Sequence, residues 1–358
     1  MRLVLKVKTR IFEYTMKRRD FLKACLIATA AGACSGPTRS IDRSVPLIMT
    51  VNGPIPPAQM GTTLPHEHVL VDFIGADTVS PHRYDRDEVF EAVLPHLQQV
   101  YDLGGRTLIE CTPAYLGRDP RLLQRLSQAT GIHLLTNTGY YGARDDRHLP
   151  AHALSESADA LAARWIHEWE SGLDGTGIRP GFMKIGVDGG SLSDVDRTLV
   201  RAAARAHRAT GLTMAVHTGP AEAAFEQLDV LEGEGVDPSA WIWVHAQAEQ
   251  DGTRHAEAAR RGAWVEFDGL HPDRVEQHVE QVSFMKNQGL LHRTLVSHDA
   301  GWYHVGEPGG GTFRPYSTLF DDFLPALRRT GFTDAEIQRL VVTNPAEAFS
   351  VRVRLANR

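Results

Sequence analysis

Short apolar runs alternate with longer stretches of mixed character along most of this chain. The runs Thr107–Cys111, His133–Gly139, Phe182–Val187, Thr213–Thr218, Trp241–Ala246, Trp264–Asp268 and Thr294–Ser297 are largely apolar or β-branched and are bounded by Gly, Pro or polar residues. That pattern predicts strands. Gly61–Asp72 reads as a further strand, which makes eight. Between them the period lengthens. In Asp194–Thr210, Leu199, Ala202, Ala203 and Ala206 share one helical face, and Gly211 supplies the stop. Thr333-Asp334-Ala335-Glu336 has the form of a capping box, and Asn344-Pro345 predicts a cap and a first-turn proline for the last helix. In Ile48–Gly61, Asn52-Gly53-Pro54 separates two short apolar runs and predicts a β-hairpin. Eight strands alternating with helices over this length predict an α/β fold, a (β/α)₈ TIM barrel with a short N-terminal hairpin. An open doubly wound sheet is the alternative, but no Gly-x-Gly-x-x-Gly follows the first strand to favour dinucleotide binding.

Residues 1–34 depart from this pattern. Lys17-Arg18-Arg19-Asp20-Phe21-Leu22-Lys23 precedes the apolar run Ala24–Ala33, and Met16 starts a conventional signal. A basic stretch, a short apolar core and small residues predict a signal segment. Its paired arginines have the form of a twin-arginine export signal, which places the protein in the periplasm or otherwise outside the cytoplasm. The run is too short to span a bilayer as a helix. Ala31-Gly32-Ala33 ahead of Cys34 reads either as a cleavage site or as an imperfect lipobox; in the second case Cys34 carries a lipid anchor. Residues 35–46 then form a linker and 47–358 the barrel domain. Cys25 lies in the signal and only Cys111 in the body, so no disulfide framework is expected there. A chain of 358 residues with 42% hydrophobic residues builds its core without staples. A net charge of −6 and the lack of a basic stripe beyond the N-terminus argue against a nucleic-acid partner.

Chemistry in such barrels sits at the C-terminal strand ends. His66 and His68, two apart on one strand, face the same way. Lys184, His217, His245 and Asp299 fall at the ends of four other strands. A histidine ending an apolar strand is ordinarily a packed core residue, and a buried lysine is costly to leave unpaired. Four histidines, a lysine and an aspartate at five strand ends together predict a metal site, and nitrogen with oxygen donors suits zinc and its neighbours.

These residues, with Leu64-Pro65-His66-Glu67-His68, Leu116-Gly117-Arg118-Asp119, Thr176-Gly177-Ile178-Arg179-Pro180-Gly181 and Val342-Thr343-Asn344-Pro345-Ala346, give the body a clear likeness. From Ile48 to Phe349 it resembles the phosphotriesterase-like family, the aryldialkylphosphatase and lactonase branch of the amidohydrolase superfamily. The resemblance implies two divalent ions (zinc, with manganese, cobalt or iron as alternatives) and a Lys184 carbamylated by carbon dioxide to bridge them. By the same resemblance His66, His68 and Asp299 hold the more buried ion, and His217 and His245 the more exposed one. A hydroxide between the ions is the nucleophile, Asp299 takes its proton, and the protein is a homodimer. The organophosphate-degrading members pair an aspartate after the sixth strand's histidine with a histidine on strand seven. The matching positions here are Ala248 and Gly269, so that relay is expected to be absent, with His271 or Glu249 as substitutes. Tyr141 is similar to the tyrosine that lines the lactonase pocket. Trp302, Tyr303 and Gly309–Gly311 predict an aromatic loop over the site, so Tyr141 and Trp302 are the candidate substrate contacts. Arg144-Asp145-Asp146-Arg147 is either a solvated loop or the partner of a polyhydroxylated or anionic substrate. The leading expectation is a lactonase or carboxylic ester hydrolase acting on a small-molecule ester. Phosphotriester hydrolysis is the alternative, and a periplasmic metal-binding protein without turnover is the third reading.

Overall fold

The computed structural model describes residues 46–356. The expected signal segment, with Cys25 and Cys34, and the linker up to residue 45 lie outside the described residues. The chain enters through the expected hairpin. β1 (Ile48–Thr50) and β2 (Gly53–Ile55) pair antiparallel with Thr50 opposite Gly53. The turn is held by Thr50, whose hydroxyl donates to the Gly53 carbonyl at 2.7 Å and accepts from the Asn52 amide at 3.2 Å. Gly53 has φ +107°, a conformation that favours glycine.

The barrel strands follow as β3 (Thr63–Val71), β4 (Thr107–Glu110), β5 (His133–Leu135), β6 (Asn137–Thr138), β7 (Phe182–Gly186), β8 (Met214–His217), β9 (Trp241–Val244), β10 (Trp264–Phe267), β11 (Thr294–Val296) and β12 (Gly301–His304). Every barrel pairing is parallel. The third barrel strand is interrupted at Thr136, so β5 pairs with β4 and β6 with β7. The eighth is also in two pieces: β11 pairs with β10, and β12 pairs with β3. Between the pieces the Asp299 amide donates to the His66 carbonyl at 3.0 Å and the His68 amide to the Ala300 carbonyl at 2.9 Å, which shuts the ring. The expected aromatic loop at Trp302 and Tyr303 is therefore this closing strand, and only Trp302 turns towards the site, while Tyr303 is buried on the other side against Gly310.

The helices start where side chains can satisfy their first amides. Asp85 caps α1 (Arg86–Asp102) and Asp119 caps α2 (Pro120–Thr130). Ser157 caps α3 (Ala158–Ser171). Ser193 and Asp196 form a full capping box on α4 (Asp194–Thr210), which ends at Gly211 with φ +81° as its sequence predicts. The capping box at Thr333 and Glu336 is also present. Asn344 departs from expectation. The preceding segment Arg339–Thr343 is already helical, so no cap is needed there. The Asn344 amide nitrogen instead donates to the carbonyls of Leu291 and Thr294, tying the last helix to β11.

Inside the barrel the lower layer is apolar: Ile109, Leu135, Phe182, Ala215, Ile242, Trp264 and Leu295 pack together, closed beneath by Ile48, Met60 and Phe349. The C-terminal segment docks on α4 through His207. The His207 Nε2 accepts from the Arg354 amide at 2.9 Å, and its Nδ1 donates to the Leu212 carbonyl at 2.8 Å. Burial, first, pulls the His207 pKa down to about 4. Above pH 6.5 folded and unfolded chains both hold this imidazole neutral and its contribution is complete. Below that the unfolded chain takes the proton first, so stability falls towards pH 4, by about 3 kcal/mol. Urea melts at pH 7 and pH 4 should show this loss in the wild type and a correspondingly smaller loss in His207→Leu; parallel losses would contradict it.

Candidate active site

Strand alternation sets the first choice. On β3, His66 and His68 point into the barrel and Glu67 points away. Glu67 is fully buried and accepts from His298 Nδ1 at 2.6 Å, Ser297 Oγ at 2.7 Å, the Ala300 amide at 2.9 Å and the His298 amide at 3.1 Å. The Leu319 amide donates to His298 Nε2 at 2.9 Å, so the proton of that imidazole is on Nδ1, facing Glu67. The carboxylate thus fastens the turn that carries Asp299. Trp302 adds a second tie, donating from Nε1 to the Asp299 carbonyl at 2.9 Å. Asp299 itself has φ +53°, a left-handed conformation that swings its side chain back into the barrel. Its Oδ1 lies 3.0 Å from His68 Nε2 and 3.7 Å from His66 Nε2. His66, His68 and Asp299 present ligand atoms within 4.8 Å of one another and can hold a metal ion.

His245 follows the end of β9 with φ +61°, so it too leaves its strand by a left-handed turn. Its ring centroid lies 5.2 Å from that of His66 and 4.4 Å from that of His217, which ends β8. Lys184, on β7, is 2% exposed in its residue total, and its Nζ meets His66 Nε2 at 3.3 Å with no ion pair among the described residues. All six residues line one cavity of ≈ 260 Å³, together with Tyr141, Trp302, Phe73 and Arg144. Every site residue expected from the sequence is therefore in one place.

The two expected substitutes for the relay are not. The His271 side chain is 51% exposed and caps a short turn after β10. Glu249 accepts from the Ala221 and Asp251 amides and so holds the start of the neighbouring helix Ala221–Gly233. The carboxylate that does reach the site is Asp268, immediately after β10 and 0% exposed. One of its oxygens binds His66 Nδ1 at 2.8 Å, the other His245 Nδ1 at 2.6 Å and Gln247 Nε2 at 2.7 Å. Burial would raise its pKa, but the facing His245 and His66 outweigh burial and hold this carboxyl well below the usual range.

These outer bonds decide which nitrogen each imidazole offers. Asp268 fixes the Nδ1 protons of His66 and His245. For His68 the Thr112 hydroxyl does so: it donates to the Leu70 carbonyl at 3.0 Å and so accepts from His68 Nδ1 at 2.8 Å. All three Nε2 atoms are left facing the cavity. Burial foremost lowers the His68 pKa to about 4 and takes His217 well below its ordinary value, so both are neutral at pH 7. His66 goes the other way. Burial and Lys184 oppose its protonation, yet Asp268 and Glu266 outweigh them and lift its pKa to about 10. A local field that favours an imidazolium so strongly also attracts a metal cation. The donor set, its tautomers and this field all fit divalent ions.

A closed parallel barrel with imidazoles, an amine and a carboxylate gathered at its strand tips belongs to the class of barrel hydrolases. The model of the Phosphotriesterase family matches residues 46–349, and the chain belongs to that family. It is 30% identical to a phosphotriesterase homology protein of Escherichia coli, over 81% of this chain and 98% of that one. It is 29% identical to an aryldialkylphosphatase of Saccharolobus solfataricus, over 81% and 95% of the two chains. The solved structure of an organophosphorus hydrolase from Deinococcus radiodurans superposes with a TM-score of 0.76 at 28% identity, over 85% of this chain and 96% of that one.

Proposed function

We propose that this hydrolase is binuclear and metal-dependent and that it opens lactones or related carboxylic esters. In this reading His66, His68 and Asp299 hold one divalent ion and His217 and His245 a second. Lys184 would serve both ions as its carbamate, and zinc is the first choice of metal. Ions bound there supply Lewis acidity for the substrate oxygen and for the attacking water. The observation that carries the reading is Asp268: one buried carboxylate orients an imidazole from each half of the proposed ligand set.

Asp299 is kept ionised. Burial opposes this, but His68, His66 and His245 outweigh it and lower the pKa of the carboxyl. It can therefore take the proton of the attacking water and return it to the ring oxygen of the substrate. A lactone's leaving oxygen stays tethered beside it, so no long relay is required, in keeping with Ala248 and Gly269 at the relay positions. Tyr141 supports the same choice. Its oxygen lies 3.2 Å from His217 Nδ1. With His217 Nε2 given to a metal, Nδ1 must donate to that oxygen, which frees the phenolic hydrogen for a substrate carbonyl. Burial pushes the Tyr141 pKa up, so the hydrogen stays in place. We also place the enzyme's work outside the cytoplasm, on the strength of the segment around Arg18-Arg19.

The test is to load the pure protein with zinc, manganese or cobalt and assay aliphatic lactones and aryl phosphotriesters. Lactones should have the higher kcat/KM, and Tyr141→Phe should lower lactone turnover about tenfold while affecting phosphotriesters less. Faster phosphotriester turnover, indifferent to Tyr141→Phe, would favour the phosphotriesterase alternative. Metal uptake with no hydrolysis of any ester would favour the non-catalytic binding protein.

A further inference from the structure

One cation at the mouth of the cavity has no hydrogen-bonded or ionic partner among the described residues. Arg144 lines the site, yet its guanidinium makes no hydrogen bond or ion pair among the described residues. It lies 5.0 Å over the ring of Phe73. Phe73 is in turn fixed against Trp302 at 5.4 Å and His148 at 6.0 Å. Other arginines of this region are engaged: Arg83 with Asp72, Arg118 with Glu168 and Asp174, and Arg147 with the Ile74 carbonyl.

The backbone beneath Arg144 is built to hold it in place. Arg144, Asp145 and Asp146 are three successive left-handed residues, with φ of 67°, 56° and 59°. Such a run is costly and persists only when its surroundings impose it. The imposing group is Asp188, whose two carboxylate oxygens accept from the Arg144 amide at 2.7 Å and the Asp145 amide at 3.0 Å. Asp188 is thus spent on backbone amides. Among the charged residues that line the cavity, Asp299 alone is acidic, and it faces the histidines.

We propose that Arg144 receives a carboxylate at the far end of the substrate, so that the enzyme acts on esters or lactones that also carry a carboxylate. This rests on the hydrolase reading above. A guanidinium offers two parallel N–H groups that match a carboxylate, and stacking on an aromatic face leaves that fork pointing outward. A phosphate dianion would call for further donors, and of the other cations nearby Lys184 is buried beside His66 while Arg314, 5.6 Å over the Trp302 ring, does not line the cavity.

The probes are para-nitrophenyl butyrate and mono(para-nitrophenyl) glutarate, which differ chiefly in the terminal carboxylate. The metal-loaded wild type should favour the glutarate ester about tenfold in kcat/KM, expressed in KM, and Arg144→Ala should bring that ratio close to one, with Arg144→Lys between. Calorimetry with free glutarate supplies a readout without turnover, and Arg144→Ala should weaken binding about tenfold. Equal use of the two esters by the wild type, a preference that survives Arg144→Ala, or glutarate binding unchanged in the variant would overturn the proposal. Tighter binding of inorganic phosphate than of glutarate would overturn the choice of carboxylate. Arg144-dependent glutarate binding without hydrolysis of either ester would support the anion site and sink the hydrolase reading. Hydrolysis of both esters without preference would do the opposite.

Discussion

Lys184→Ala is expected to abolish ester hydrolysis, with kcat reduced about a thousandfold or more. The amine is buried, and among the described residues its hydrogen-bond partner is a histidine nitrogen and it makes no ion pair. A bare ammonium in that position is expensive. As the proposed carbamate the same side chain would be an anion facing the cations it would join, and losing it would remove several kcal/mol of transition-state stabilisation. Short carboxylates such as acetate should restore part of the rate, because they can occupy the space of the lost anion. The variant should unfold at no lower temperature than the wild type when both are stripped of metal, since removing an unpaired buried amine relieves a cost. Measuring kcat with and without acetate decides the matter, and an alanine variant of undiminished activity would end the bridging role.

Glu67→Leu should cost about 3–5 kcal/mol of stability. Four donors converge on this carboxylate, three of them from Ser297, His298 and the His298 amide and one from Ala300. Leucine fills the space but leaves all four buried and unsatisfied, which is worse than a void. The turn they belong to delivers Asp299 and shuts the ring, so hydrolysis should fall together with stability. Glu67→Gln should be milder, because one carbonyl oxygen remains. Urea denaturation of the metal-free protein gives the number, and a loss under about 1 kcal/mol would show that the seam is held by other contacts.

Much of this was legible in the chain. The eight strands, the hairpin and five of the six inward-facing site residues follow from local rules: alternation along strands, and the position of polar residues at strand ends. Asp299 was found as well, but not its manner of arrival, since a left-handed break after β11 leaves no mark in composition. Asp268 was passed over because its meaning lies in partners 202 and 23 positions away, His66 and His245. Glu67 was hidden in the same way, between two histidines that drew attention to the opposite face of its strand, with partners some 230 positions distant. His271 and Glu249 failed for the converse reason. They are charged residues in suitable segments, but local backbone amides claim them. Trp302 was read as part of a loop because barrel closure pairs the end of the chain with its beginning, which no window of neighbouring residues contains.

The divided eighth strand has a consequence for biosynthesis. The piece that completes the cylinder is made late, and it brings the carboxylate that would complete the proposed ligand set. A nascent chain lacking it has the imidazoles but neither the sealed ring nor the final donor. If the enzyme is metal-dependent as proposed, tight cation capture would report that the polypeptide is whole and correctly wound, and a truncated product would forfeit this stabilisation and be left open to proteases.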